Sequence, residues 1–173
     1  MFYTMTNFYS TMNKIKGQSV LKLSSSQKKK VYEEEKPDIA LVHGDTTTAF
    51  ATALSAFYAK IPVGHVEAGL RTFNKYYPFP EELNRVVADA VSTLYFAPTK
   101  TSVQNLLDSG IQDKENIYQT GNTVIDALLY TVKNHSVNLD NLNLNPNLRT
   151  ILLTSHRREN WGEPLEEICD AIL

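Results

Sequence analysis

The chain has 173 residues, a formal net charge of −2 and a hydrophobic content of 42%. These values are typical of a globular domain with enough apolar surface for a core. Neither the charge nor any motif indicates nucleic-acid binding. The single cysteine, Cys169, excludes an internal disulfide and gives no metal-site pattern, so no metal is expected. No segment has the length and apolarity of a membrane span, and the N-terminus is a poor signal peptide. We therefore expect a cytoplasmic protein without a membrane partner.

The stretch 36–72 has the pattern of a strand–helix–strand unit. A short apolar run over 39–42 is followed by an amphipathic run, and Pro62 separates that helix from a second apolar run, 61–66. The two strands should be parallel, with a right-handed crossover. The predicted apolar stripe of the helix consists of Phe50, Leu54, Phe57 and Tyr58.

Each strand of this unit ends in an acidic residue. Asp45 follows the first strand and Glu67 the second, so both carboxylates should lie at the same rim of the sheet, where ligands of open α/β sheets bind. Asp45 or a neighbouring threonine could equally be the N-cap of the helix that begins near Ala49. Glu67 lies between an apolar strand and a glycine and has no helix to cap, which favours a functional interpretation.

After an aromatic and proline-rich loop, 73–80, a helix is predicted to begin at Glu81. Glu81 and Glu82 lie in its first turn, where the helix dipole favours acids, and Glu81 precedes Arg85 by four residues. These acids therefore have a structural explanation as well. The predicted apolar stripe of this helix consists of Leu83, Val86, Val87, Ala90 and Val91.

The rest of the chain continues as alternating strands and helices up to an Asn-rich linker. Thr99 or Thr101 should cap the helix between the third and fourth strands, and Cys169 lies on the apolar side of the last helix, which indicates a core position. The predicted elements are strands at 94–97, 117–119 and 150–154, helices ending at Leu107 and spanning 123–133, the linker 134–147, and a last helix with Leu165, Ile168, Cys169 and Ile172 on one side.

Five motifs in this order resemble the non-hydrolysing UDP-N-acetylglucosamine 2-epimerases. They are HGDTTT at 43–48, GHVEAGLRT at 64–72, PEELNR at 80–85, TGNTVIDAL at 120–128 and SHRREN at 155–160. The resemblance implies a Rossmann-like parallel sheet with flanking helices, as the incomplete first domain of a GT-B-type two-domain fold plus the start of the second. The first domain would be 1–147, lacking its usual first strands, and 148–173 would be the first strand and helix of the nucleotide-binding domain.

The activity implied by the resemblance is the interconversion of UDP-N-acetylglucosamine and UDP-N-acetylmannosamine, for cell-surface polysaccharide biosynthesis. UDP is eliminated to a 2-acetamidoglucal and added back with C2 inverted, without a cofactor. Asp45, Glu67 and Glu81 match the family's catalytic carboxylates, and His156 matches its functional histidine. The arginines of the same segment would join His156 in binding the UDP that gains charge on leaving, namely Arg157 and Arg158.

Two family features have no counterpart in this sequence: the opening G-T-R-P-E loop and most of the second domain. We therefore expect the isolated chain to show negligible epimerisation, and the protein partner to be a second copy, as is common in the family, or a complementing chain. A hydrolysing relative and a non-catalytic fragment that complements another polypeptide are the alternative functions. Arg71 and Arg85 are expected to pair with local acids rather than with substrate.

Overall fold

A computed structural model describes residues 32–135, 144–145, 147–155 and 161–172. The chain divides into two compact units, residues 1–131 and 132–173. Within the described ranges, none of the helices is both long enough and apolar enough to cross a membrane.

The first unit is built on a four-stranded parallel sheet in which the strands follow each other in chain order. The strands are β1 Ala40–His43, β2 Val63–Val66, β3 Leu94–Ala97 and β4 Ile117–Gln119. This confirms the predicted α/β class. The bounds of β3 and β4 match the prediction, whereas β1 is shifted by one residue and β2 begins two residues later than expected.

Helices connect successive strands, as parallel pairing requires. The connections are α1 Thr47–Tyr58, α2 Glu81–Val91, and α3 Lys100–Asp108 followed by a 3₁₀ turn, Lys114–Asn116. Helix α4, Thr123–Asn134, follows β4, and α5, Glu163–Asp170, lies in the second unit. Thr46 caps α1 by accepting the Ala49 N–H at 3.1 Å, and Thr99 caps α3 in the same way from Ser102 at 3.0 Å. A threonine and not Asp45 is thus the N-cap, which leaves the Asp45 carboxylate available for another partner.

Helix α1 packs on the sheet through alanines, not through the predicted stripe of large residues. Ala49, Ala53 and Ala56 are buried against Val42 of β1 and Val63 of β2. Of the predicted stripe, Phe57 and Tyr58 are exposed, and Phe50 and Leu54 are only partly buried. The small side chains allow the helix axis to approach the strands closely, so the bulky residues are left on the outer side.

Contrary to the prediction, the inward side of helix α2 is mainly polar, although Val91 of the predicted stripe packs against the core. Leu83 and Val86 of the predicted apolar stripe are 48% and 40% exposed. Burial of polar side chains is tolerated when they find hydrogen-bond partners, and those of α2 do so on the loops that follow β1 and β2. The buried residues of the helix are Glu82, Asn84, Arg85, Ala88 and Asp89.

In the second unit, two expectations from the sequence are wrong. Residues 150–154 do not form a strand, and Ile151 and Leu152 are exposed. A strand needs a neighbouring strand to satisfy its backbone groups, and the described part of this unit offers none. Cys169 of α5 is exposed instead of lying in a core, because no described element covers that side of the helix.

Tyr95 on β3 gives the sheet a pH-dependent contribution to stability. Its ring is buried, its hydroxyl donates to the Ser92 carbonyl oxygen at 2.6 Å, and burial raises its pKa from 10.0 to about 12, with Asp89 and Asp113 adding repulsion. Since the folded state holds this proton more tightly, the contribution is complete below pH 10 and is lost as the pH rises to about 12.

We therefore expect Tyr95→Phe to make the decline of stability between pH 10 and about pH 12 less steep, apart from a constant offset for the lost hydrogen bond. Part of the decline should remain, because burial also raises the pKa of Tyr32. Urea unfolding midpoints measured across this range would show it. Tyr76→Phe, which changes an exposed ring, is the control and should decline as the unmodified chain does. An equally steep decline in Tyr95→Phe would contradict the assignment.

Candidate active site

The carboxyl ends of β1 and β2 bring the first two predicted acids to adjacent positions on the rim. His43 is in register with Val66, and the Gly44 N–H donates to the Val66 carbonyl oxygen at 2.9 Å. Asp45 and Glu67 are the next residues along these two strands. The sequence-based expectation that they share one rim is what the structure shows.

Glu67 occupies a conformation that non-glycine residues rarely adopt. Its φ is +67°, in the left-handed region, and strained backbone of this kind is concentrated at functional sites. Its Oε2 lies 3.5 Å from His43 Nε2, and both side chains are partly exposed at the rim. Gly44 makes the arrangement possible, because it has φ +70° and a Cβ there would lie 3.3 Å from Glu67 Oε2.

Asp45 is held by helix α2. Arg85 Nη2 donates to Asp45 Oδ2 at 2.5 Å, and the Asn84 side-chain amide donates to the Asp45 carbonyl oxygen at 2.9 Å. Arg85 also lies 3.6 Å from Glu82, so its partners are Asp45 and Glu82 and not Glu81, the partner that sequence spacing suggested. The expectation that Arg85 pairs with a local acid is nevertheless met.

Glu81 is the first residue of α2, one turn before Arg85. Residues four apart lie on the same side of a helix, so Glu81 projects from the side of α2 that carries the contact to Asp45. The first turn of α2 is fixed by Glu82, which accepts the N–H groups of Thr72 and Phe73 at 3.0 Å. The sequence suggested only a dipole effect for Glu82, whereas the structure gives it the task of holding the loop after β2.

A buried ionic cluster lies beneath the rim. Asp89 of α2 is 2% exposed and accepts from His65 Nδ1 at 2.6 Å, from Arg71 at 2.7 Å and from the Gly69 N–H at 3.1 Å. His65 Nε2 contacts the Gly44 carbonyl oxygen at 2.9 Å. Arg71 therefore has a structural partner, as expected. Sequence reasoning missed His65 and Asp89; the only signal was a histidine within an otherwise apolar strand.

The remaining predicted site residues, His156, Arg157 and Arg158, lie outside the described residues, and their roles stay predictions. Among the residues that are described, no group of three or more His, Cys, Asp or Glu side chains is arranged to hold a metal ion. The chemistry available at the rim is thus that of carboxylates on separate elements, flanked by a histidine and an arginine. Such a set can remove a proton from one side of a bound molecule and deliver one from another.

The sequence of this chain matches one known protein family over nearly its whole length. The family model described as UDP-N-acetylglucosamine 2-epimerase matches residues 5–173. Named UDP-N-acetylglucosamine 2-epimerases from Bacillus subtilis and Salmonella typhimurium are 54% identical over 145 residues and 50% identical over 153 residues. These alignments cover 82% and 83% of this chain but 37% and 40% of the relatives, so the chain spans about two fifths of their length.

The structural match agrees with the sequence match. The crystal structure of UDP-GlcNAc 2-epimerase from Neisseria meningitidis bound to UDP-GlcNAc superposes with a TM-score of 0.78 at 43% identity, covering 91% of this chain and 45% of that one. With the family model matching nearly the whole sequence, the chain belongs to the UDP-N-acetylglucosamine 2-epimerase family.

Proposed function

We propose that this chain carries the acid–base carboxylates of an enzyme that interconverts UDP-N-acetylglucosamine and UDP-N-acetylmannosamine. The observation that carries the proposal is the placement of Asp45 and Glu67 at adjacent strand ends, with Arg85 of α2 bound to Asp45. Support also comes from the Neisseria meningitidis relative, whose structure contains UDP-GlcNAc. The proposed domains are 1–147, with the carboxylates, and 148–173, the start of the nucleotide-binding domain.

The proposed reaction is elimination followed by re-addition. A carboxylate takes the C2 proton, the bond between C1 and the UDP oxygen breaks, and a C1–C2 double bond remains in a 2-acetamidoglucal. UDP then adds back to C1 while an acid delivers a proton to the opposite face of C2. Different surroundings let carboxyl groups take different roles. Asp45 is bound by Arg85, whereas Glu67 stands beside His43 at the open rim.

The charge that develops on the departing UDP needs cationic partners. His156, Arg157 and Arg158 are proposed for this task, because imidazolium and guanidinium groups form strong hydrogen bonds with phosphate oxygens. The part of the relatives that this chain does not match is expected to bind the rest of the nucleotide. We therefore propose that the chain alone shows negligible exchange and that a complementing chain supplies the missing contacts. A homodimer is the partner proposed for the intact protein.

The test is deuterium incorporation at C2 of UDP-GlcNAc in heavy water. The chain is assayed alone and as a chimera, in which its aligned segment replaces the matching segment of the Salmonella typhimurium relative. We expect exchange in the chimera and none above background in the chain alone. An inactive but folded chimera would refute the acid–base assignment. Release of free N-acetylmannosamine instead of UDP-N-acetylmannosamine would identify a hydrolysing enzyme.

A further inference from the structure

The buried cluster beneath the rim connects the two loops that carry Asp45 and Glu67. Asp89 uses both carboxylate oxygens: Oδ1 bonds to His65 and Oδ2 accepts from Arg71 and from the Gly69 N–H. Gly69 and Arg71 belong to the loop after β2, two and four residues beyond Glu67. One side chain of α2 therefore holds that loop at two points.

His65 extends the connection to the loop after β1. Its Nδ1 faces Asp89 Oδ1 at 2.6 Å and its Nε2 faces the carbonyl oxygen of Gly44 at 2.9 Å. A carbonyl oxygen can only accept, so the bond to Gly44 requires a hydrogen on Nε2, while Nδ1 bonds to the Asp89 carboxyl group.

The loop residues that His65 and Asp89 contact lie close to Asp45 and Glu67 in the chain. Gly44 directly precedes Asp45 and would contact Glu67 Oε2 if it had a side chain. Gly69 has φ +82°, a Cβ there would clash with the Ser102 carbonyl oxygen, and its own carbonyl oxygen accepts from the Asn105 amide at 3.0 Å, so this part of the loop is also packed against α3. A displacement of His65 or Asp89 would therefore be transmitted to the spacing between the Asp45 and Glu67 carboxylates.

We propose that His65 and Asp89 are positioning residues that set the distance between Asp45 and Glu67. The catalytic meaning of that distance rests on the function proposed above, while the geometric claim does not. The same hydrogen bonds would form if His65 and Asp89 only stabilised the core. In that case, however, substitutions would displace Asp45 only in proportion to the stability that they remove.

Two substitutions at position 65 separate these roles. The side-chain nitrogen of Asn lies where Nδ1 of His lies, so His65→Asn keeps the bond to Asp89 and loses the bond to Gly44. The nitrogen of Gln lies near Nε2, so His65→Gln keeps the bond to Gly44 and loses the charged one. We expect His65→Gln to have the lower urea unfolding midpoint, because bonds to charged groups contribute more.

If His65 positions the acids, the two variants should rank in the opposite order for their effect on Asp45 and Glu67. In the isotope-labelled full chain, the carboxyl carbon signals of Asp45 and Glu67 should shift more in His65→Asn than in His65→Gln. The unmodified chain should show a hydrogen on Nε2 of His65, with a coupling across the hydrogen bond to the Gly44 carbonyl carbon. Thr52→Val, a same-shape change at another buried polar side chain, is the control and should leave both carboxyl signals in place.

In the chimera, C2 exchange should fall about 100-fold in His65→Asn and about tenfold in His65→Gln. Carboxyl shifts that follow the loss of stability, larger in His65→Gln, would overturn the positioning role, as would a missing hydrogen on Nε2. If the chimera of the unmodified chain is inactive, the proposed function fails, and the carboxyl signals alone decide whether His65 positions the acids.

Discussion

Glu67→Gln is expected to lower C2 deuterium exchange by the chimera about 1,000-fold, within the range contributed by a positioned general acid or base. Gln keeps the size of the side chain and can still contact His43, so the strained backbone of the loop should be unchanged. The initial rate of deuterium entry into UDP-GlcNAc, measured at saturating substrate, gives kcat directly. A fall in kcat with little change in KM is expected, since the carboxylate acts in the transition state.

The matched control is Glu115→Gln, which makes the same chemical change on an exposed side chain of the 3₁₀ turn and should leave the rate unchanged. Asp45→Asn and Glu81→Gln are expected to reduce exchange comparably to Glu67→Gln if the three acids act on the same carbon. Retention of more than about a tenth of the activity in Glu67→Gln would remove it from the acid–base pair.

Asp89→Ala is expected to destabilise the chain by about 3–5 kcal/mol, the usual cost of removing one partner of a buried ion pair. The substitution leaves Arg71 and His65 buried without their shared acceptor and leaves the Gly69 N–H unpaired. Urea unfolding followed by far-UV circular dichroism would measure the loss. Marginal stability is typical of single domains, so partial unfolding at room temperature would also fit.

Asp108→Ala serves as the comparison for this change. Asp108 is an exposed carboxylate at the end of α3 that accepts one hydrogen bond from Gln104, so its loss should alter stability by no more than about 0.5 kcal/mol. The stability of Asp89→Asn should lie between those of Asp89→Ala and Asp108→Ala, because the amide keeps the shape of the side chain and one acceptor oxygen. Equal stabilities of Asp89→Ala and Asp108→Ala would show that the buried cluster contributes nothing.

Local signals in the sequence predicted the fold well where they were unambiguous. Short apolar runs that stop at Pro98 or at Thr120-Gly121 gave β3 and β4 correctly, and the acidic pair after Pro80 marked the start of α2. Periodicity did not reveal which side of α2 faces the sheet. Leu83 and Val86 form a regular apolar stripe, yet the inward side is set by partners that lie far away in the sequence.

Some residues of the candidate site could likewise be predicted from the sequence, and others could not. Asp45 and Glu67 were found because a parallel sheet brings the ends of successive strands together, a property that follows from topology alone. The buried cluster could not be found, because the bond between His65 and Asp89 spans 24 residues and depends on the packing of α2. Glu82 was misinterpreted for a related reason: its partners are backbone N–H groups, which no side-chain pattern reveals.

The inward polar side of α2 has a mechanical consequence. Apolar contacts are non-directional and change little when two surfaces shift, whereas hydrogen bonds weaken quickly as their distance and angle depart from the optimum. Asn84 and Arg85 bond to Asp45, and Asp89 bonds to His65, Arg71 and the Gly69 N–H, so a rotation or translation of the helix by a fraction of a turn would break these bonds together. The contact between α2 and the two loops therefore has a single register, which fixes the helix both in rotation and along its axis.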